Sequence, residues 1–424
     1  MRIVFASLGS LGDLHPILAL ARASRERGHV PVIAASETYR TYVDSLGFEF
    51  HRIRPDFEPD PVALEQLFHP QHGPKHLMCE EVFPRVRETY ADLLGACQGA
   101  DFLVVGELLY VAPLVAAKLG IPWSNVILAP TSFLSACDPC VLAPVPSLHA
   151  LRHLGTWPHR LIFALGRVVT SRWSAPLRAF RRELGFPAGS SPVFDDKHSP
   201  HLVLAMFPDF LAAPQPDWPP AVVQTGFPFF VQPSKPAAME RLEAFLADGD
   251  PPLVFTLGST VVHIAADFYQ SAAEAAHALG RRAILLSGRN PLPATFPEGV
   301  LAIDYVPLAA VLPRAAAVIH QGGIGTCAEA LRAGIPSLVI PFGFDQPDNG
   351  ERLRRLGAGH VLRRKNISRD SLITSLRRLL ADREMAARVR SYSARIHPAE
   401  ALDDAVLAIE DVGAKRGLLC ASAC

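Results

Sequence analysis

Short runs of consecutive apolar residues recur along this chain, and most are followed by a longer stretch with apolar positions three and four apart. That alternation predicts buried, mostly parallel strands joined by helices. Residues 3–7 form the first run, 14–27 the first amphipathic helix, and 30–35 the next run after Gly28-His29. Further strands are expected at 48–53, 101–105 and 123–128, with a helix at 110–119. The rhythm then lapses in two places. Residues 55–74 are rich in proline, histidine and phenylalanine, and 131–147 in proline and small apolar residues, so both are expected as long surface loops beside a site. Between 151 and 184 arginines alternate with Leu, Ile, Phe, Val and Trp, which predicts one or two basic amphipathic helices. Their simpler reading is a solvated arginine face. The sharper one is peripheral contact with acidic lipid headgroups at the inner face of a membrane, or with an anionic acceptor.

Pro214, Pro216, Pro219, Pro220, Pro228 and Pro233 are too many for a helix or a central strand, so 214–236 is expected as a linker between a first domain, 1–213, and a second, 237–398. The second repeats the strand and helix rhythm. Strands are expected at 253–257, 283–286, 300–305, 315–319, 338–340 and 360–362, and helices at 264–279, 326–333, 349–356, 368–381 and 383–396. A last helix is expected at 399–413, within a terminal segment 399–424.

Composition narrows the classes. A chain of 424 residues fits two domains that each bury a full core. Lys plus Arg number 41 and Asp plus Glu 41, so no overall charge points to nucleic acid. No run of eighteen apolar residues spans a membrane, and Gly9 and Gly12-Asp13 interrupt the first apolar run too early for a signal peptide, so a cytoplasmic protein is expected. Seven scattered cysteines argue against a disulfide framework; Cys137 and Cys140 form a lone C-x-x-C, and no role is assigned to Cys420 or Cys424. The turn Gly9-Ser10-Leu11-Gly12 lacks the G-x-G-x-x-G spacing of a dinucleotide site, which disfavours a dehydrogenase.

The chemistry concentrates at 320–326, where His320-Gln321-Gly322-Gly323-Ile324-Gly325-Thr326 falls at a strand-to-helix turn. Glycines let the backbone come close, the first helical amides lack partners, and the positive helix end faces the ligand, so the turn can cradle a diphosphate. His320 can add a side-chain donor and Thr326 a hydroxyl.

This run, continued by Glu329 and closed by Pro341-Phe342-Gly343-Phe344-Asp345-Gln346, resembles the donor-binding signature of the nucleotide-sugar-dependent glycosyltransferases called family 1. Gly12-Asp13 with Pro16, Asp217-Trp218-Pro219, Thr225-Gly226-Phe227-Pro228 and Gly258-Ser259-Thr260 extend the resemblance over nearly the whole chain, toward the branch holding the bacterial rhamnolipid rhamnosyltransferases and the sterol and macrolide enzymes. It implies the GT-B fold, an α/β architecture of two Rossmann-like domains facing each other across a cleft. The last helix would cross back to the first domain.

The resemblance also implies an inverting, metal-independent hexosyltransferase. It uses a nucleotide sugar as co-substrate, needs no cofactor, and glycosylates a hydroxyl of a lipophilic small molecule or lipid. Asp13 is then the base, with His15 as its rival, although Asp13 also stands where a helix N-cap belongs and Pro16 suits a first turn. The leaving diphosphate falls to His320, Gly322, Gly323, Gly325 and Thr326, with Ser259 reaching from the opposite loop, and Gly12 is a further donor-binding position. Tyr305 and Val306 would meet the base, Glu329 the ribose hydroxyls, and Asp345-Gln346 the sugar, with Leu308 departing from the glutamine of plant relatives. Because Glu329 can accept from both ribose hydroxyls, a UDP-sugar is expected over a TDP-sugar. The rival readings are a TDP-rhamnose-dependent rhamnosyltransferase of a hydroxy fatty acid lipid, a nucleotide-sugar epimerase on the same fold, and a non-catalytic nucleotide-sugar-binding subunit.

Overall fold

The structure is a computed structural model that describes residues 1–56, 60–189, 191–265, 267–288, 290, 292 and 295–418, so Cys420 and Cys424 lie outside the described residues. Seven parallel strands form the first sheet: β1 (Arg2–Ala6), β2 (Val30–Ala35), β3 (Glu49–Arg52), β4 (Phe102–Val105), β5 (Trp123–Ile127), β6 (Leu202–Ala205) and β7 (Val222–Gln224), in the order β3-β2-β1-β4-β5-β6-β7. Six more form the second: β8 (Leu253–Thr256), β9 (Ala283–Leu286), β10 (Val300–Ile303), β11 (Ala317–His320), β12 (Ser337–Val339) and β13 (Gly359–Val361), in the order β10-β9-β8-β11-β12-β13. Helices cover both faces of each sheet, which is why β4, β8, β9 and β11 are buried along their whole length and read as continuous apolar runs. The fold is α/β with two Rossmann-like domains, as the sequence implies.

The first helix, Leu11–Glu26, begins three residues earlier than expected. Ser10 is its N-cap and Asp13 the reciprocal member of a capping box, so Asp13 lies in the first turn and Pro16 inside the helix. The stretch 55–74 is not simply a loop, because Asp60 caps a helix at Pro61–Leu67 and a short one follows at Gly73–His76. Within the proline-rich stretch, β7 pairs with β6 through Val203, Leu204 and Ala205, so part of the expected linker completes the first sheet. It is an edge strand, where neighbouring prolines are tolerated.

The other expected loop, 131–147, is also a correction. Cys140, Val141 and Ala143 are buried, the Val141 amide donates to Asp348 Oδ1 (2.9 Å), and Asp138 pairs with Arg352 (2.7 Å) and Arg355 (2.9 Å). This segment is therefore wedged between the domains rather than spread on the surface. The last helix, Pro398–Lys415, packs on the first domain: Ala405 and Ile409 are fully buried in the core beneath Leu18, Ile33 and Phe102, and Glu410 receives Arg27 (2.7 Å) and His29 (2.9 Å). Burying a side chain such as Ile409 contributes about 1.5–3 kcal/mol, so this return is held by packing more than by its partly exposed ion pairs.

Candidate functional site

In an open parallel sheet the crevice forms at the carboxyl ends of the strands where the strand order reverses. In the first sheet that point lies between β1 and β4, and in the second between β8 and β11. The chain leaves β1 toward Asp13, β4 toward Glu107, β8 toward Ser259 and β11 toward the glycine turn, so topology alone sends these segments to the crevice rims.

Asp13 is fixed from its own turn: the Ser10 amide (2.8 Å) and hydroxyl (3.0 Å) both donate to its Oδ2. No hydrogen bond from another described residue reaches Oδ1. Burial raises this carboxyl above the usual range, with the Ser10 bonds opposing. Gly9, at φ 122°, is required here, since a Cβ on it would lie 2.4 Å from Asp13 Oδ2. The Gly12 amide is already occupied by Ser10 Oγ (3.1 Å). His15 stacks on Phe230 (5.2 Å) and meets the Tyr42 hydroxyl at 3.4 Å, and burial lowers its pKa to about 4.

Two neighbours of Asp13 escaped the sequence reading. Glu107 is raised by burial and then by Asp13, against the pull of Lys197 and the Ser132 hydroxyl; burial lowers Lys197, whose Nζ donates to the Ser132 carbonyl. An acid just past Gly106 at the end of β4 is a readable signal, because that strand borders β1. Lys197 lies in an irregular segment and gave none.

On the opposite rim His320 is completely buried. Its Nδ1 accepts from the Gly322 amide at 3.1 Å, which assigns the proton to Nε2, and Nε2 has no partner among the described residues. Burial lowers its pKa to about 3, so the ring is a neutral donor and not the cation that charge neutralisation would ask for. Gly322, at φ 91°, cannot carry a side chain: a Cβ would meet Val339 Cγ1 at 2.6 Å and the Gln346 carbonyl oxygen at 3.0 Å. Gly323 is the N-cap of the helix Ile324–Ala333, which starts two residues before the expected position. Consequently the Thr326 amide is bound to the Gly323 carbonyl (3.0 Å), leaving the earlier amides, including that of Gly325, to face outward. Ser259 is exposed on the facing loop, next to Gly258, where a Cβ would strike Gln321 Nε2 at 2.2 Å.

Further out, Tyr305 stands 41% exposed with its hydroxyl on the Gln232 carbonyl (3.3 Å), its ring available for stacking. Val306 is fully buried in the core, so only its backbone can face a ligand. Glu329 is raised by burial, partly offset by Arg332 at 2.5 Å. That pairing engages Oε2, and the carboxylate keeps further acceptor capacity for ribose hydroxyls. Gln346 is likewise engaged: its Oε1 accepts from the amides of Phe342 (2.8 Å) and Gly343 (3.2 Å), which leaves only its amino group for a sugar. Asp345 accepts from Asn349 Nδ2 (2.6 Å), and Asn349 also donates to the Gly322 carbonyl (2.9 Å), tying this acid to the cradle. Burial pushes Asp345 up to about 7, with Glu107 and Asp13 adding to the effect across the cleft. Phe344 precedes it at φ 54°, a strained conformation for a bulky residue, with its ring edge-on to Phe68 (5.2 Å) of the first domain. The structure thus brings Asp13, Glu107 and Asp345 to one cleft.

Two Rossmann-like domains, with an anion cradle on one rim and a fixed carboxyl on the other, define a GT-B glycosyltransferase. Comparison with known proteins agrees. Residues 282–406 match the family model of the erythromycin biosynthesis protein CIII-like C-terminal domain. The O-mycaminosyltylonolide 6-deoxyallosyltransferase of Streptomyces fradiae is 31% identical over 433 residues, covering 97% of each chain. Among solved structures, glycosyltransferase VinC in complex with DTDP aligns over 98% of this chain and 100% of its own at TM-score 0.69 and 20% identity. The spinosyn rhamnosyltransferase SpnG complexed with thymidine diphosphate aligns over 96% and 100% at TM-score 0.67 and 21% identity. The chain belongs to the family 1 nucleotide-sugar-dependent glycosyltransferases, with the macrolide enzymes among its relatives, and is an enzyme of the hexosyltransferase type.

Proposed function

We propose that this enzyme transfers a hexose from a nucleotide diphosphate sugar to a hydroxyl of a lipophilic natural product, with inversion at the anomeric carbon. The reading is carried by the juxtaposition of Asp13 on one rim with the glycine turn and Asp345 on the other. Asp13 takes the acceptor proton through Oδ1 as the acceptor oxygen bonds to the anomeric carbon, and the bond from that carbon to the diphosphate breaks in line. The negative charge that develops is met by the free amides at the start of the helix Ile324–Ala333 and by the neutral His320 Nε2–H. Asp345 and the Gln346 amino group orient the sugar, and Tyr305 stacks on the base.

Two solved neighbours carry thymidine diphosphate, which weighs against the uridine preference expected from Glu329. Thymidine diphosphate sugars therefore come first in the test, a screen of TDP- and UDP-sugars against macrolide, sterol and hydroxy-lipid acceptors with the purified protein. A β-configured product from an α-linked donor supports the proposal. Release of a free epimerised sugar without acceptor would mean an epimerase, and tight donor binding without turnover on any acceptor would mean a binding subunit.

A further inference from the structure

The helix Trp157–Trp173 is apolar on two sides. Its inner side inserts Phe163, with Pro158, His159 and Thr170 also buried. The outer side presents Trp157, Leu161, Leu165 and Val168, which helical spacing places in one row, and each is more than half exposed: 63%, 55%, 60% and 63%. Val169 (52%) widens the row, and Leu154 (58%) extends it beyond the helix start. A folded domain rarely leaves so continuous an apolar row in water.

Charge indicates what covers it. Between residues 139 and 182 the chain holds seven arginines and no aspartate or glutamate. Arg152, Arg167 and Arg181 are paired with Glu351, Asp195 and Asp196. Arg160 and Arg172, exposed near the two ends of the row, show no ion pair among the described residues. In an antiparallel pairing with a second copy of this helix, Arg160 of one copy would meet Arg172 of the other, so like charges would oppose that assembly. An apolar row bracketed by free arginines instead matches a surface that is oily within and anionic at its rim.

We propose that the outer face of this helix docks the enzyme onto an anionic lipid bilayer. Trp157, Leu161, Leu165 and Val168 enter the interface, and Arg160 and Arg172 lie among the headgroups. The same segment follows the wedge that carries Asp138 and Val141 into the domain interface, so docking sets the first domain against the membrane. The inference is independent of the donor and of the catalytic roles above.

The test is co-sedimentation of the purified protein with vesicles of phosphatidylcholine, with or without phosphatidylglycerol. Binding is expected only with the anionic lipid, weakened by salt and accompanied by a blue shift of emission that Trp157→Phe removes. Arg160→Glu with Arg172→Glu should weaken it about tenfold or more. Leu161→Glu with Leu165→Glu should abolish it, with an unchanged melting temperature because both side chains are already in water. The proposal is overturned if the parent stays in the supernatant with anionic vesicles at low salt, or if the Leu161→Glu and Leu165→Glu variant sediments like the parent. A parent dimer that this variant splits, with no vesicle binding by either form, would assign the row to a second copy.

Discussion

Arg352 and Asp138 come from opposite domains, yet their Nη1 and Oδ2 atoms lie 2.7 Å apart with the arginine only 2% exposed. Arg352 also reaches Asp348 (2.7 Å) and the Leu211 carbonyl (3.2 Å), and Arg355 grips the other oxygen of Asp138 (2.9 Å). Burial alone would raise Asp138; Arg352 and Arg355 overcome it and hold that carboxyl low. The helix Gln346–Arg355 that carries this clamp begins next to Asp345, so one rigid element registers both the sugar contact and the wedge from the first domain.

Arg352→Met should lower stability by about 3–5 kcal/mol, because it strands Asp348 and much of Asp138 without their counter-charge. Denaturant titration checks this. A loss below about 1 kcal/mol would show the pair to be as weak as a solvated surface bridge.

Asp13 separates capping from catalysis. Asp13→Asn retains an acceptor for the Ser10 amide and should keep the fold, whereas Asp13→Ala removes the reciprocal half of the capping box and should cost about 0.3–1.5 kcal/mol. As the base, Asn should slow turnover by roughly 10²–10⁴-fold with donor affinity nearly unchanged. Because burial raises this carboxyl, and only its ionised form accepts a proton, the parent's rate should climb with pH through a limb above the ordinary carboxylate range. That limb should vanish in the variant; near-normal rates in Asp13→Asn would remove Asp13 from the chemistry.

Asp345 gives a pH signature in stability. Its folded-state value of about 7 stands above the unfolded value of about 3.9, so the native state holds this proton more tightly. The resulting stabilisation is complete below about pH 4 and is lost as pH rises through 7. Asp345→Asn lacks this loss, so the difference in melting temperature, variant minus parent, should grow from pH 5 to pH 8. A constant difference would mean that Asp345 is ionised throughout.

His320→Ala should weaken donor binding and turnover together, since it deletes the Nε2–H donor. With its pKa near 3 the ring stays neutral in ordinary buffers, so its contribution to thymidine diphosphate affinity should not vary between pH 6 and 8. Calorimetry with thymidine diphosphate across that range checks the affinity, and initial rates of the variant check the turnover.

Strand positions were legible because buried parallel strands are continuous apolar runs; β7 was missed because prolines crowd it, while β6, fully buried at Leu202–Ala205, carried the same apolar signal and was passed over. The cradle was legible because Gly322 has no tolerable substitute and its neighbours are adjacent in sequence. Lys197 and the Asp138–Arg352 pair were not, since their partners lie far apart along the chain and no local period marks them. Asp345-Gln346 was found, but that Gln346 braces its own loop could only be seen in three dimensions.

The return of Pro398–Lys415 to the first domain has a consequence for how the molecule is made. Ile409 fills a hole under a sheet whose first strand leaves the ribosome about four hundred residues earlier, so the amino-terminal half must wait, incompletely cored, until the helix Pro398–Lys415 has been made. A fragment stopping before Pro398 should expose that hole and demand chaperones, while the same fragment supplied with the missing helix as a separate peptide has a route to completion.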